Sequence, residues 1–187
     1  MGKKFFKQSR YLTFLLRHNI INTDLVMDDA GYVNIKDIKD MLKWGDNIDI
    51  YEIVNNDKKN RYDIKDDKIR INQGHSPNVF KLINPDKIFE KITEPLEICI
   101  HSTYDKYLDL IKEEGLKVME RSHIHFSPSL DSKSGKKANT NIIIYIDMEK
   151  AMNDNIIFYR SSNNVILSYG INGIIEPKYF KQIDIKK

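Results

Sequence analysis

Histidine is the side chain whose ordinary pKa places its proton exchange between pH 5 and 8, and the five histidines of this chain are not scattered. His18 follows Arg17. His75 closes Gln73-Gly74-His75, His101 opens His101-Ser102-Thr103, and His123 and His125 alternate in Arg121-Ser122-His123-Ile124-His125-Phe126-Ser127. On a strand the side-chain period is two, so His123 and His125 are expected on one face. Two such rings and a third from a neighbouring strand can hold zinc. No cysteine partner and no carboxylate at ligand spacing accompanies them, so no metal site is assigned. Lys68-Ile-Arg-Ile-Asn-Gln-Gly-His-Ser76 organises the chain: Ile69 and Ile71 alternate as in a strand, and a glycine with three hydrogen-bonding side chains ends it. The two halves on either side are expected to meet across one anion-binding cleft.

The elements that must carry these residues follow from periodicity. Phe5, Leu12, Leu15 and Leu16, with Phe14 nearby, predict a helix over Lys4 to His18. Arg17 and His18 would close it, where a cation complements the helix dipole, so a plain C-terminal cap is one reading of the pair. Asp28 to Gly31 is a turn, Tyr32 to Ile35 a short strand, and Asn34 can cap a helix carrying Ile35, Ile38, Met41 and Leu42 that ends at Trp44-Gly45. A third helix is predicted from Asp49 to Asn55. Arg61 to Ile64 and Lys68 to Ile71 then form a hairpin around Asp66-Asp67. Helix, strand, two helices and a hairpin is the order of a winged helix.

Pro77, Pro85 and Pro95 divide the next stretch, where Val79, Phe80, Leu82 and Ile83, then Ile88, Phe89 and Ile92, read as short helix. Beyond it, a strand from Leu96 to Ile100 is expected to end at His101, with Thr103 capping a helix that carries Tyr107, Leu108 and Ile111 and stops at Gly115. Ser129 to Asn141 reads as a mobile polar tip with Lys133, Lys136 and Lys137. Further strands are predicted at 141–147, 156–160, 165–169 and 174–180, with a short helix at 148–152. The fold expectation is α+β: a winged-helix-like lobe over 1–76, a linker with a short helix over 77–95, and a mixed β lobe over 96–187.

With 187 residues, 41% of them hydrophobic, the chain can bury real cores. Charged residues make up 30% yet nearly cancel, to +3, so bulk charge says little about partners. The single cysteine, Cys99, cannot form an internal disulfide and suits a reducing compartment. No stretch has the apolar length of a membrane span and no signal-peptide core is present, so a cytoplasmic protein is expected.

Two resemblances can be set against the residues. His101-Ser102-Thr103 and His125-Phe126-Ser127 resemble the paired His-x-Ser/Thr tripeptides of two-histidine RNA phosphoesterases, which would leave Arg17-His18 and the glycine motif unused. The second is fuller. Leu15-Leu16-Arg17-His18, Gly31-Tyr32-Val33, Lys68 to Ser76, His101-Ser102-Thr103, Gly115-Leu116 with Met119 and Arg121, His123 to Ser127, Asn164 to Ser168 and Pro177 to Phe180 stand in an order that resembles the RNA 2'-phosphotransferases. A non-enzymatic winged-helix nucleic-acid binder is the remaining alternative, since fold alone does not fix function.

The resemblance implies that the second lobe is ADP-ribosyltransferase-like, that NAD is co-substrate, and that the partner is RNA bearing an internal 2'-phosphate, typically tRNA at a splice junction. It implies a metal-free reaction through ADP-ribosylated RNA, and a monomer is expected. Carried over by motif, the essential set is Arg17, His18, Arg61 and Arg121. His101, Ser102, Thr103, His125, Ser127, Val165 and Ser168 would hold NAD. Arg70, Gln73, Gly74, His75 and Ser76 would bind substrate, although the last four also read as a tight turn locked by its own hydrogen bonds. Guanidinium binds phosphate oxygens in pairs and stays charged at any working pH, which suits a dianion beside an ordinary phosphodiester. Two residues depart from the pattern. Ser102 stands where the family has glycine, and Tyr32 where it has tryptophan.

Overall fold

The computed structural model describes residues 3–44, 48–132, 134–135 and 139–186. The fold is mixed α+β, and the chain divides into two compact units, Met1–Ile88 and Phe89–Lys187.

In the first unit, α1 (Lys3–Phe14) does not stop at Arg17-His18. It widens into a five-residue π turn, Leu15–Asn19, and continues through a 3-10 turn, Ile20–Asn22. The cap reading of Arg17 and His18 is therefore corrected. Leu15, Leu16 and Arg17 are all buried, and Ile20 is buried beyond them. A wider turn rotates less per residue, which lets three consecutive side chains face inward. Such π turns recur at functional sites.

The following elements arise from local signals. β1 (Val33–Asn34) leads into α2 (Ile35–Leu42), whose first turn is capped by the Asn34 side chain accepting from the Lys36 amide at 2.8 Å. Lys43, with φ at +51°, ends α2; Gly45, expected to help stop it, lies outside the described residues. Asp49 caps α3 (Ile50–Asn55) in the same way. β2 (Tyr62–Lys65) and β3 (Lys68–Ile71) form the expected hairpin, with Asp66 and Asp67 both at positive φ, as its two-residue turn requires. The sheet runs β1-β3-β2, with Val33 opposite Ile69 and Tyr62 opposite Ile71. Ile69 and Ile71 are buried, as are Leu12, Leu15, Ile38 and Ile53 of the same unit. A single helical turn, α4 (Pro77–Phe80), follows the glycine loop.

The second unit opens with a correction. Phe89 and Ile92 do not continue a helix: Phe89–Lys91 is a strand, β4, paired with β9 (Phe158–Ser161). The exposed edge of β9 offers backbone partners to this segment, and the Ile92 amide bonds the Phe158 carbonyl at 2.9 Å. β5 is Ile100–Thr103, so the strand expected over Leu96 to Ile100 starts only at its last residue and runs through the His101 motif. Thr103 is then a strand residue, not a cap, and Tyr104 precedes the 3-10 turn that feeds α5 (Leu108–Glu114). β6 (Leu116–Lys117), β7 (Ile124–Phe126), β8 (Ile142–Ile146), α6 (Met148–Asn153) and β10 (Ile166–Ser168) complete the central part. The segment expected as one strand over 174–180 is broken by a Pro177–Tyr179 turn into β11 (Ile174–Ile175) and β12 (Phe180–Ile185), which join different sheets.

Two larger sheets, β4-β9-β10-β7 and β12-β8-β5, are stitched by reciprocal backbone bonds between Ile100 and Ser127 at 3.0 and 2.8 Å. One hydrophobic cluster draws on both, with Phe126, Phe158 and Ile166 from the first and Ile142, Ile144 and Ile146 from the second. Buried Cys99 sits in it, and desolvation pushes its thiol pKa up, so it is a packing residue. Of the tip expected to be mobile, Ser134 and Gly135 are packed on Phe126 and Ser127, whereas Lys133, Lys136 and Lys137 lie outside the described residues. Among the described residues no helix is long and apolar enough to cross a membrane.

Gly115 links α5 to β6 at φ +80°, and a Cβ there would stand 2.4 Å from the Ile175 carbonyl oxygen, a backbone atom fixed by the β6–β11 pairing. Gly115→Ala should therefore lower the unfolding free energy by roughly 2 kcal/mol or more. A denaturant midpoint equal to that of the wild type would contradict this reading of the turn.

Candidate active site

The first unit assembles a cationic cluster around the π turn. Arg17 is only 9% exposed, and its Nε donates to the Gln73 carbonyl at 3.0 Å. Its own carbonyl accepts from the Ser76 amide at 2.9 Å and from the Ser76 hydroxyl at 3.3 Å. Gly74, at φ +89°, lies directly against the guanidinium: a Cβ on it would come within 2.9 Å of Nε and 3.0 Å of Cζ. Glycine is thus required twice, for its backbone conformation and for the close approach. His75 is 1% exposed and packs on Phe80, so its side chain secures the loop from inside. His18, next in the π turn, is half-buried, with its ring 5.9 Å from that of Phe14.

Arg61 is oriented by Asp57, a buried carboxylate that accepts from both the Arg61 amide and its Nη1. Lys59 is the residue that motif reading missed. Its pKa is lowered first by burial and then by the charges of Arg61 and Arg17, with Asp57 pulling the other way. The charges of Arg61 and Arg17 both reach the Lys59 ammonium, so the three lie in one neighbourhood. The signal was present in the run Lys58-Lys59-Asn60-Arg61, but a charge run on a loop ordinarily denotes a solvated surface. Arg70, expected to bind substrate, is held by other groups: it pairs with Asp63 at 3.0 Å, donates to the Ala30 carbonyl at 3.2 Å and lies 4.6 Å over the Tyr32 ring. Tyr32 donates to the same Asp63 carboxylate, and burial with that bond raises its pKa to about 12. The Tyr32 phenol thus completes an Arg70–Asp63–Tyr32 brace.

In the second unit the β5–β7 junction brings together the two His motifs. His101 Nδ1 lies 2.9 Å from the His125 carbonyl, and His125 Nδ1 lies 3.0 Å from the His123 carbonyl. A carbonyl can only accept, so both rings carry hydrogen on Nδ1, and when neutral each has its acceptor nitrogen at Nε2. His101 and His125 are half-buried, whereas Ser102 and Thr103 are buried and Ser127 is fully enclosed, its hydroxyl donating to the Ser134 carbonyl at 3.0 Å. Ser102 occupies regular strand opposite Ile143, so the serine costs the backbone nothing there. Val165 and Ser168 are also fully buried, Ser168 donating to the Ile157 carbonyl at 2.7 Å.

His123 does not share a strand with His125, because β7 begins at Ile124. It is buried against the rings of Phe89 and Tyr159, which also contact each other, with Ser122 Oγ 3.0 Å from its Nδ1. Arg121 is half-buried; burial lowers its pKa, and among the described residues no carboxylate lies within ion-pair distance. A desolvated guanidinium without a counter-charge is a ready anion site. Among the described residues no group of three or more His, Cys, Asp or Glu side chains is placed to hold a metal ion.

Each unit thus carries arginine or histidine side chains whose orientation is fixed by backbone carbonyls. The sequence profile described as "RNA 2'-phosphotransferase, Tpt1 / KptA family" matches residues 3–170, and the chain belongs to that family. It is 32% identical to "tRNA 2'-phosphotransferase 1" of Danio rerio over 187 aligned residues, 93% of this chain and 83% of that protein. It is 34% identical to a protein of Fusobacterium nucleatum named "Probable RNA 2'-phosphotransferase" over 169 residues, 87% of this chain and 92% of the other. A relative from Schizosaccharomyces pombe is 39% identical over 89 residues, 46% of this chain and 24% of that longer protein. The chain is an enzyme of the RNA 2'-phosphotransferase class.

The burial of His123 has a pH consequence. Its pKa is lowered from 6.5 to about 4 by desolvation, so the unfolded chain takes up the proton first as pH falls. The neutral ring's contribution is whole above pH 6.5 and is lost as pH drops toward 4, on the order of 3 kcal/mol over the window. Urea unfolding at a series of pH values should show wild type losing more stability across this range than His123→Gln; parallel curves would contradict it.

Proposed function

We propose that this enzyme removes an internal 2'-phosphate from RNA, tRNA being the expected substrate, with NAD as the acceptor. The observation that carries this reading is the Arg17–Lys59–Arg61 cluster, in which positive charge is gathered on buried and partly buried groups, with Arg61 oriented by Asp57. A dianion supplies what such a cluster lacks, and a guanidinium pinned to backbone is already oriented to bind it in bidentate fashion. Charge-assisted hydrogen bonds contribute about 1.5 to 3 kcal/mol each, enough for two or three to select the phosphorylated ribose.

In this reading the first unit is a winged-helix-like lobe that presents Arg17, His18 and Arg61 to the RNA phosphate. The second is ADP-ribosyltransferase-like and holds NAD. His101 and His125 suit that role because they are the half-buried members of their motifs, with both ring orientations fixed through Nδ1. Ser102, Thr103, Ser127, Val165 and Ser168 would act from behind them, by shaping the strands, since their side chains are buried. Gln73, Gly74, His75 and Ser76 would act through the Arg17 they hold, and Arg70 through its brace on Asp63 and Tyr32. Arg121 would bind an anionic group of a substrate.

The chemistry divides into two displacements. An oxygen of the RNA 2'-phosphate attacks the anomeric carbon of the nicotinamide ribose as the bond to the ring nitrogen breaks, and nicotinamide leaves with the electron pair, losing its positive charge. The ribose 2''-hydroxyl then attacks phosphorus; the bond to the RNA 2'-oxygen breaks, that oxygen gains a proton, and ADP-ribose 1'',2''-cyclic phosphate is the second product. Positioning and charge stabilisation dominate such phosphoryl transfers. His18 is assigned to the second displacement, moving the proton between the two hydroxyl oxygens. A monomer in the cytoplasm fits this reading.

The test is a short RNA with an internal 2'-phosphate, incubated with and without NAD. Nicotinamide release and a free 2'-hydroxyl only when NAD is present are expected; phosphate loss without NAD would favour a two-histidine phosphoesterase instead. In single turnover, His18→Ala should accumulate ADP-ribosylated RNA with cyclic phosphate formation slowed by about 10²-fold or more. An unaltered second step would remove His18 from that role.

A further inference from the structure

The outward face of α1 is unusual for a surface helix. Phe6 is 60% exposed, Tyr11 42% and Phe14 50%, at positions where solvent normally selects charged or polar residues. The inward face already has its apolar set in Leu12, Leu15 and Leu16, so these rings are not needed for the core. They are also ordered with respect to one another. Arg10 sits 5.9 Å above the Phe6 ring, Tyr11 and Phe14 have centroids 6.5 Å apart, and Phe14 stands 5.9 Å from the His18 ring. Between Lys3 and His18 the sequence has Lys3, Lys4, Lys7, Arg10 and Arg17 but no acidic residue.

We propose that this face of α1 is a stacking platform for the unpaired nucleotides that flank the phosphorylated one. The proposal rests on the function proposed above, and the occupant is single-stranded RNA. Three features select it. Rings interleaved with cations match bases interleaved with phosphates, the pattern of surfaces that bind single strands without reading sequence. The row is continuous with the reacting groups, because Phe14 touches His18 and His18 follows Arg17. From Phe6 to Phe14 it extends about 12 Å along the helix, long enough for more than one base. A base stacked on Phe14 would place its neighbour's 2' substituent beside His18, so the platform would favour phosphates within unpaired RNA over those in a duplex.

The decisive comparison uses the full chain with Phe6→Ala, Tyr11→Ala and the conservative Tyr11→Phe. Fluorescence anisotropy is read on a single-stranded oligonucleotide without 2'-phosphate, and turnover on a dinucleotide carrying one. Each alanine variant should weaken oligonucleotide binding about tenfold, Tyr11→Phe should restore it, and KM for the dinucleotide and the thermal midpoint should stay at wild-type values. Unchanged oligonucleotide binding overturns the proposal, as does an equal loss on the dinucleotide. Anionic phospholipid vesicles and sedimentation complete the test: alanine variants that lose vesicle binding or self-association, but not RNA binding, would assign the face to a membrane or to a second copy. If the wild type turns over no RNA, the functional reading fails, while the anisotropy still decides whether α1 binds single strands.

Discussion

The first unit depends on one contact, the guanidinium of Arg17 laid against the backbone of Gly74. A side chain at position 74 would press on it, and Arg17 reaches it from the π turn. The π turn, the positive φ of the glycine and the bonds from Arg17 to Gln73 and Ser76 are therefore one device. It fixes a cation that would otherwise sample many rotamers, so little orientational entropy remains to be lost when an anion arrives. Lys59 and Arg61 add charge nearby, and Asp57 holds Arg61 without neutralising the group. Positive charge gathered on partly buried groups is the setting that the proposed phosphate site requires.

The second unit solves a different problem with strands. Histidine motifs twenty-four residues apart become neighbours because β5 and β7 meet at the Ile100–Ser127 bridge. Backbone carbonyls then fix the His101 and His125 rings through Nδ1, which is a rigid way to present the opposite edge. Much of what surrounds them, including Ser102, Thr103, Ser127, Val165 and Ser168, is buried and supports the strands from within. His123 belongs with that support: its ring is desolvated against two aromatic side chains and stays neutral across the physiological range.

Much of this was legible in the residues. The Asn34 and Asp49 caps, the Asp66-Asp67 hairpin and the isoleucine alternation of β3 are local signals, and the structure follows them. What failed depended on tertiary partners. Phe89 and Ile92 fit a helical spacing, but the edge of a sheet whose other strands lie far along the chain claimed them. Arg17 and His18 look like a helix end until Ile20 is seen to be buried beyond them. Among site residues, the histidines and arginines stood out by type and spacing. Lys59 did not, because its meaning comes from the charges of Arg17 and Arg61, which folding brings near it. Arg70 was legible as a cation but not as a brace, since Asp63 and Tyr32 reach it across the hairpin and from the turn before β1.

In the proposed reading, the pre-oriented guanidinium at position 17 recognises the 2'-phosphate by shape as well as by charge. Calorimetric titration of wild type and Arg17→Lys with paired RNA dinucleotides, identical except for the 2'-phosphate, separates the two. Wild type should bind the phosphorylated dinucleotide tighter, and lysine, which keeps the charge but not the fork, should lose most of that preference. A preference of equal size in Arg17→Lys would contradict it.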